Sequence, residues 1–130
     1  MRVITFGTFD VFHVGHLKIL ERAAGLGDHL IVGVSTDALS IGKKGRAPIY
    51  SEADRMHIVS ALRCVDEVFP EESLEKKRDY ILQYEADILV MGDDWEGRFD
   101  DLGDVCDVVY LPRTPSISTT EIIEVVRQSR

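Results

Sequence analysis

The chain has 130 residues, of which 45% are hydrophobic and 29% are charged, and its formal net charge at pH 7 is −8. This composition is typical of one globular domain and not of a disordered chain. A strongly acidic surface argues against binding to nucleic acids or to anionic membranes, so any phosphate ligand requires a local cluster of positive groups in a small, enclosed site.

The first half of the chain predicts two strands with a helix between them. Residues 2–6 (RVITF) predict a strand, and residues 17–24 then place apolar side chains at helical spacing. The continuous apolar run HLIVGVS, residues 29–35, is typical of a strand that is covered on both faces. The segment IGKKGRAPIY, residues 41–50, is expected to be a loop with a basic cluster.

The second half begins with a predicted helix, which Ser51 caps and acidic residues follow in the first turn. VDEVF, residues 65–69, predicts a strand that Pro70 ends. Ser73 is expected to cap the next helix, which runs through Leu82.

Two more strands and a helix complete the pattern. ADILVMG, residues 86–92, and DVVYL, residues 107–111, predict strands. STTE, residues 118–121, has the form of a capping box and predicts the start of a final helix. The alternation of strands and helices implies one α/β domain over residues 1–130, with a mainly parallel sheet and helices on both of its faces.

Three polar or glycine-rich loops directly follow predicted strands. They are GTFDVFHVGH at residues 7–16, GDDWEG at residues 92–97 and PRTPSIST at residues 112–119. Parallel α/β sheets bind ligands beyond the carboxyl ends of their strands. We therefore expect the three loops to converge on one ligand site.

The first loop has the residue types of an anion site. Gly7 permits a close turn, and Thr8 and Phe9 then offer backbone N–H groups. Gly15 and His16 open a helix, whose unpaired N–H groups and dipole favour a bound anion.

Two imidazoles, His13 and His16, are expected next to that anion, where each can donate a hydrogen bond to a phosphate oxygen. Two other interpretations stay open. The histidines can be a structural cap of the helix, or they can ligate zinc, although no third or fourth ligand is near them in the sequence. Asp10 either contacts the ligand or fixes the loop by accepting backbone N–H bonds.

The third loop combines a guanidinium group with a helix start, which suits the β- and γ-phosphates of a nucleotide. A capped helix beside a surface arginine is the alternative. The residues of this candidate site are Arg113, Thr114, Ser118, Thr119 and Thr120.

In the middle loop, Asp93 and Asp94 can hold a magnesium ion or accept a hydrogen bond from the amino group of a base. Trp95 either stacks on a ligand or packs in the core. A polar turn beside a buried tryptophan is the alternative here.

The motif GTFDVFHVGH resembles the H-x-G-H signature of the nucleotidyltransferase superfamily that includes the small cytidylyltransferases, and RTPSISTTEI is similar to its C-terminal signature. VMGDDWEG and VVYLPRT narrow the resemblance to the branch of glycerol-3-phosphate cytidylyltransferases, and the resemblance spans nearly the whole chain. It implies a Rossmann-like fold, with CTP and a small phospho-alcohol as substrates and Mg²⁺ bound with the CTP. It also implies a homodimer and a place in teichoic acid or capsule synthesis.

The resemblance also implies roles for individual residues. His13, His16 and Arg113 would be catalytic contacts to the nucleotide's phosphates, and Arg63 a further phosphate contact, although a solvated cation at a helix end explains Arg63 equally well. The loop with Asp94 would lie beside the base.

Two lysines, Lys43 and Lys77, match positions that hold the phosphate of the second substrate, with Lys44 or Arg46 as alternatives to Lys43. The rival functions are an ATP-dependent relative with another acceptor, such as ribitol, ethanolamine, flavin or sugar phosphate, and a regulatory module that binds a nucleotide without catalysis. A redox or metal-binding α/β domain is a third alternative.

The cysteines and the N-terminal residues give evidence about the cellular compartment of the protein. Cys64 and Cys106 lie in apolar surroundings and are expected to be free thiols, because a disulfide framework usually has more cysteines. No run of 18 apolar residues predicts a membrane span, and the apolar run at residues 3–6 is too short for a signal peptide. We therefore expect a cytoplasmic protein.

Overall fold

A computed structural model of the chain describes residues 1–112 and 119–128. Five strands form one sheet, and each strand is parallel to its neighbours in the order β3-β2-β1-β4-β5. The predicted parallel α/β fold is therefore confirmed. The strands are β1 (Arg2–Gly7), β2 (His29–Ser35), β3 (Glu67–Glu71), β4 (Ile88–Gly92) and β5 (Asp107–Leu111).

Helices connect these strands. Within residues 1–112 and 119–128, no helix is long and apolar enough to cross a lipid bilayer. In the same described ranges, three short 3₁₀ segments occur at Leu74–Lys76, Asp93–Trp95 and Asp100–Asp104. The α-helices are α1 (Val14–Ala24), α2 (Asp37–Lys44), α3 (Glu52–Ser60), α4 (Lys77–Gln83) and α5 (Thr119–Gln128).

The sheet is covered on both faces, because neighbouring residues of one strand belong to different hydrophobic clusters. In β1, Val3 packs with Leu20 of α1 and Val59 of α3, whereas Ile4 packs with Ile81 of α4. All five of these side chains are almost completely buried. Successive side chains of a strand point to opposite faces of the sheet, and helices cover both faces. The strands are therefore continuous apolar runs in the sequence.

The order of the strands defines the position where a ligand binds in this class of fold. From β1 the chain moves outward to β2 and β3, and it then returns to the other side of β1 to form β4 and β5. The connections on the two sides of this reversal leave a crevice at the carboxyl ends of β1 and β4. The loops after these two strands therefore face the same space.

Residues 41–50, which were predicted to form a loop, are partly helical. The first four of them belong to α2, which Thr36 caps by accepting a hydrogen bond from the Leu39 N–H at 3.1 Å. Gly45, with φ of 75°, ends the helix in the left-handed conformation that glycine adopts without strain. The helix has only eight residues and one buried side chain, Ser40, so no apolar stripe indicated it.

Two further boundaries differ from the prediction. Pro70 does not end its strand: β3 continues to Glu71, because β3 lies at the edge of the sheet, where a missing N–H costs no ladder hydrogen bond. Ser73 caps a 3₁₀ turn, and α4 begins only at Lys77. By contrast, Ser51 caps α3 as predicted, with its Oγ accepting a hydrogen bond from the Asp54 N–H at 3.3 Å.

Candidate active site

A cavity of about 710 Å³ opens at the carboxyl ends of β1 and β4. Its volume lies within the range of small-molecule sites. Among the described residues, six lysines and arginines and three carboxylates line it, so a chain of net charge −8 has a locally basic cavity. The predicted site residues that line it are Gly7, Thr8, Phe9, Asp10, His16, Lys43, Lys77, Asp94, Thr119 and Thr120.

His13 and His16 form the cap of α1 with their own ring nitrogens. Nδ1 of His13 accepts a hydrogen bond from the Gly15 N–H at 3.0 Å, and Nδ1 of His16 accepts one from the His13 N–H at 3.1 Å. The two rings lie against each other, with centroids 3.9 Å apart. The interpretation as a structural cap is therefore correct for Nδ1.

The same hydrogen bonds determine the tautomer of both rings. An Nδ1 that accepts an N–H bond cannot hold a proton, so each neutral imidazole has its proton on Nε2. In His16, which lines the cavity, Nε2–H is left as a donor for a ligand. The cap and the predicted phosphate contact are thus compatible, since they use different nitrogens of one ring.

Both histidines are neutral near pH 7 without a bound ligand. Burial lowers the pKa of His13, and the pKa of His16 is lowered to about 4, mainly by burial and then by repulsion from His13 and Lys44, which Asp10 partly opposes. A neutral ring still donates through Nε2–H. A phosphate bound beside it raises the pKa and favours the charged form.

The loop between β1 and α1 has a strained backbone. Phe9 has a φ of 55° and Val11 a φ of 46°, which are unfavourable angles for a bulky and for a β-branched side chain. Gly7 is required beneath them, since a Cβ at this position would lie 2.8 Å from the Phe9 ring. Such a loop persists only where surrounding contacts hold it.

Asp10 supplies several of these contacts. Its carboxylate accepts hydrogen bonds from the N–H groups of Val11, Ile49 and Tyr50 at 3.0, 2.7 and 2.8 Å, and its backbone oxygen accepts one from Thr119 Oγ1 at 2.9 Å. Asp10 therefore joins the loop after β1 to the segment before α3 and to the start of α5. Of the two roles considered for Asp10, the structure shows the loop-fixing one.

The largest anchor of the site is Arg55, which was not among the site residues predicted from the sequence. Its side chain is completely buried, and all of its hydrogen bonds go to segments around the cavity. Arg55 lies one helical turn before the buried Val59, and this position on the apolar face of α3 was the available signal. The acceptors are the backbone oxygens of Thr8, Ser35 and Tyr50, at 2.8, 2.7 and 2.9 Å, and Asp37 Oδ1 at 2.7 Å.

The predicted lysines meet at another wall of the cavity. Lys43 Nζ donates to Ser35 Oγ at 3.2 Å, and this hydroxyl donates to Glu71 Oε1, also at 3.2 Å. Lys77 Nζ lies 2.6 Å from Glu71 Oε2. Burial lowers the pKa of Lys43, although the charge of Glu71 opposes this effect. Lys44 and Arg46, the alternatives to Lys43, line the same cavity.

In the middle loop, Trp95 packs against Phe99, with ring centroids 5.6 Å apart, and it also lines the cavity. Arg98 lies over the Trp95 ring at 5.5 Å and lines the cavity too, a position that the sequence did not indicate. The side chain of Asp94 folds over Gly92, where a Cβ would lie 2.7 Å from Asp94 Oδ1. Gly92 thus permits the carboxylate to reach the end of β4.

Some predicted residues lie elsewhere. Arg63 is exposed in the turn between α3 and β3, at the amino end of the strands and opposite the cavity, so the structure does not bring it to the other predicted residues. The N–H of Gly15 donates to His13 Nδ1, and neither Gly15 nor His13 is among the described residues that line the cavity. Arg113, Thr114 and Ser118 lie outside the described residues.

The fold and the cavity first define a class of protein. A parallel sheet that reverses its strand order at a basic cavity, beside the N-terminus of a helix, is that of a Rossmann-like nucleotide-binding protein. Comparison with known proteins then gives the family. A family model described as cytidylyltransferase-like matches residues 4–125, and the chain belongs to this cytidylyltransferase-like family.

Relatives with assigned functions extend over nearly the whole chain. A glycerol-3-phosphate cytidylyltransferase of Bacillus subtilis (strain 168) is 53% identical over 123 residues, which are 95% of each sequence. A glycerol-3-phosphate cytidylyltransferase of Staphylococcus aureus is 46% identical over 121 residues, 93% of this chain and 91% of that protein.

A solved structure has the same fold. It is that of a lipopolysaccharide core biosynthesis protein from Thermoplasma volcanium, which superimposes with a TM-score of 0.75 at 26% identity. The match covers 88% of this chain and 98% of the other.

Proposed function

We propose that the chain transfers the cytidylyl group of CTP to sn-glycerol 3-phosphate, which yields CDP-glycerol and pyrophosphate. The observation that carries this proposal is the pair His13 and His16, whose Nδ1 atoms are occupied by the helix cap. Their Nε2–H groups are left as donors, and His16 lines the basic cavity. The relatives named above, which match more than nine-tenths of the chain, support CTP and glycerol 3-phosphate as the substrates.

The reaction is an in-line attack by a phosphate oxygen of the acceptor on the α-phosphorus of CTP. The new bond joins that oxygen to the α-phosphorus, and the bond to the β-phosphate oxygen breaks. The attacking phosphate is already an anion near pH 7, so no general base is needed. The work of the protein is to bring two anions together and to stabilise the charge that develops on the leaving pyrophosphate.

His13 and His16 perform the second task through Nε2–H. Both rings are neutral before binding, because burial lowers their pKa values. The bond from Nε2–H strengthens as negative charge accumulates on the leaving group, and only the part that strengthens in the transition state accelerates the reaction.

The lining residues support a position for each part of the substrates. The start of α1 and the N-terminus of α5, with Thr119 and Thr120, suit the triphosphate, and Arg113 stays a predicted phosphate contact there. Asp94 at the end of β4 suits the amino group of cytosine. The basic group Lys43, Lys44 and Arg46 suits the phosphate of the acceptor.

A divalent cation is expected to arrive with CTP. The described residues contain no group of three His, Cys, Asp or Glu side chains that could hold a metal ion. Of the carboxylates in the cavity, Asp10 is occupied by backbone N–H groups and Glu71 by Lys77. Asp94 fits Mg²⁺ as a single ligand, and the metal, which offsets phosphate charge when bound, would take most of its other ligands from the substrate and water.

Product identification by mass spectrometry tests the proposal. The purified protein is incubated with Mg²⁺ and either CTP or ATP, together with glycerol 3-phosphate, ribitol 5-phosphate, ethanolamine phosphate or flavin mononucleotide. We expect CDP-glycerol and equimolar pyrophosphate from CTP and glycerol 3-phosphate. A product that forms only from ATP would refute the assignment, as would tight binding of CTP without pyrophosphate release from any acceptor.

Three further predictions accompany this function. We propose a homodimer, to be tested by light scattering of the purified protein. We also propose a cytoplasmic location, which the free thiols of Cys64 and Cys106 support because they suit a reducing compartment. Finally, we propose that the CDP-glycerol serves teichoic acid or capsule synthesis, which a depletion experiment followed by polymer analysis would test.

A further inference from the structure

Glu71 is a carboxylate in the wall of a cavity that is otherwise suited to anions. Its side chain is 1% exposed and lines the cavity from the last position of β3. A buried carboxylate repels phosphate, so a site that only neutralised anions would be weaker because of it. Glu71 therefore has a role other than charge neutralisation, and the residues in contact with its carboxylate indicate which role this is.

The charge of Glu71 is matched by Lys77, which the resemblance assigned to the acceptor's phosphate. Lys77 Nζ lies 2.6 Å from Glu71 Oε2, and the Lys77 side chain is only 4% exposed. The ammonium group also lies over the rings of Phe6 and Phe99, at 4.5 and 5.3 Å from their centroids. A lysine that is buried and paired in this way adds little net positive charge for a phosphate.

The carboxylate of Glu71 still has capacity to accept hydrogen bonds. Its Oε1 accepts one from Ser35 Oγ, and its Oε2 accepts one from Lys77 Nζ. An ionised carboxylate has about four acceptor positions, so two remain for a ligand. The groups that fit such positions are neutral donors, above all hydroxyl groups.

Lys43 is the neighbouring cation on the other side of Ser35. Its Nζ donates to the same Ser35 hydroxyl that donates to Glu71. A cation for a phosphate and a carboxylate for a hydroxyl are thus separated by a single side chain. This separation suits a short phospho-alcohol that has a phosphate at one end and hydroxyl groups at the other.

We propose that Glu71 accepts hydrogen bonds from the hydroxyl groups of the acceptor, and that Lys77 positions its carboxylate for this purpose. The pair selects polyol phosphates over phospho-alcohols without free hydroxyls, and it orients the acceptor with its phosphate towards Lys43. This inference rests on the proposed transfer of a cytidylyl group to a phospho-alcohol. It assigns Lys77 a positioning role in place of a phosphate contact.

A second observation indicates that a polar ligand completes this wall. The hydroxyl of Ser40 is buried and has no hydrogen-bond partner within the described part of the chain, and Ser40 lines the same cavity one turn of α2 before Lys43. Buried hydroxyls are normally paired. A hydroxylated ligand in the cavity provides the missing partner.

The test compares glycerol 3-phosphate with n-propyl phosphate, which has the same three carbons and no free hydroxyl. Glu71→Gln removes the charge and keeps the shape, and we expect it to lower the ratio of kcat/KM values for the two acceptors by about ten- to a hundred-fold. The loss should fall on glycerol 3-phosphate, and the KM for CTP should stay unchanged. Lys77→Met should lower the ratio as well.

Glu67→Gln is the matched control, because Glu67 lies in the same strand at its other end, where it pairs with His29 and Arg2. We expect it to leave the ratio unchanged. The double variant Glu71→Gln/Lys77→Met leaves neither charge buried without its partner. It should show the same loss of selectivity as Glu71→Gln, and it keeps the test valid if a single variant does not fold.

The outcomes separate the two proposals. An unchanged ratio in folded Glu71→Gln and in the double variant would overturn the role of Glu71. Equal losses with both acceptors in Lys77→Met would restore Lys77 as a phosphate contact and contradict its positioning role. Failure of the wild-type protein to form a CDP-alcohol from either acceptor would instead refute the proposed function itself, together with this inference.

Discussion

Replacing His16 with asparagine is expected to remove a loss of stability that the wild-type protein undergoes in mild acid. Asparagine Oδ1 occupies nearly the position of histidine Nδ1, so it can still accept the hydrogen bond from the His13 N–H that now measures 3.1 Å. The substitution thus keeps the cap of α1 and removes only the group that titrates.

The magnitude follows from the pKa of His16, which burial lowers from the ordinary value of 6.5 to about 4. Between these two values the unfolded chain takes up a proton that the folded protein does not. The contribution of this histidine to stability is therefore fully present above pH 6.5 and falls as the pH decreases. The loss is about 2 kcal/mol at pH 5 and reaches about 3 kcal/mol below pH 4.

Urea denaturation at about pH 7 and about pH 5 measures this effect. The free energy of unfolding of the wild-type protein should fall by about 2 kcal/mol more than that of the His16→Asn protein over this interval. All other ionisable groups are common to the two proteins, so the difference between the two changes isolates His16. His57→Asn, at an exposed position of α3, is the control and should behave like the wild type.

The same change in both proteins between the two pH values would refute the reasoning. It would mean that His16 takes up its proton at the same pH in the folded protein as in the unfolded chain. Burial would then not keep this ring neutral in mild acid, although the fold would not be affected.

Two further predictions concern activity and the anchor of the loops. His16→Asn should lower kcat by about two to three orders of magnitude with the fold intact, since it removes a donor to the developing charge; near-normal pyrophosphate release in a saturating assay would contradict this role. Arg55→Lys should destabilise the protein by about 2 to 3 kcal/mol in urea, because lysine cannot reach all four acceptors of the guanidinium group. A loss below about 0.5 kcal/mol would show that Arg55 does not hold the loops.

Local patterns predicted most of the secondary structure. The strands at His29–Ser35 and Asp107–Leu111 have the predicted bounds, because a strand covered on both faces is a continuous apolar run. Ser51 caps α3 as predicted, since a cap depends on residues within one turn. In contrast, α2 was missed, because Gly42 and two lysines leave it without an apolar stripe.

The candidate site was predicted less completely than the strands. Its location followed from the loops after the strands, and ten of the predicted residues line the cavity. The role of Arg55 was not predicted, since its four acceptors are brought together only by the folded chain. No sequence pattern singled out Glu71, and its pairing with Lys77 depends on the entry of the chain into α4.

The sequence by itself determined the alternation of strands and helices, the loop that holds His13 and His16, and hence the edge of the sheet where a ligand binds. These properties depend on hydrophobic periodicity and on motifs within about one turn of the chain. Only the tertiary structure decided which nitrogen of each histidine is available and that Arg63 lies away from the cavity. It also paired Lys77 with Glu71. The physical reason is that burial and charge pairing arise between segments that are distant in the chain, and these determine whether a charged or polar group can act on a ligand.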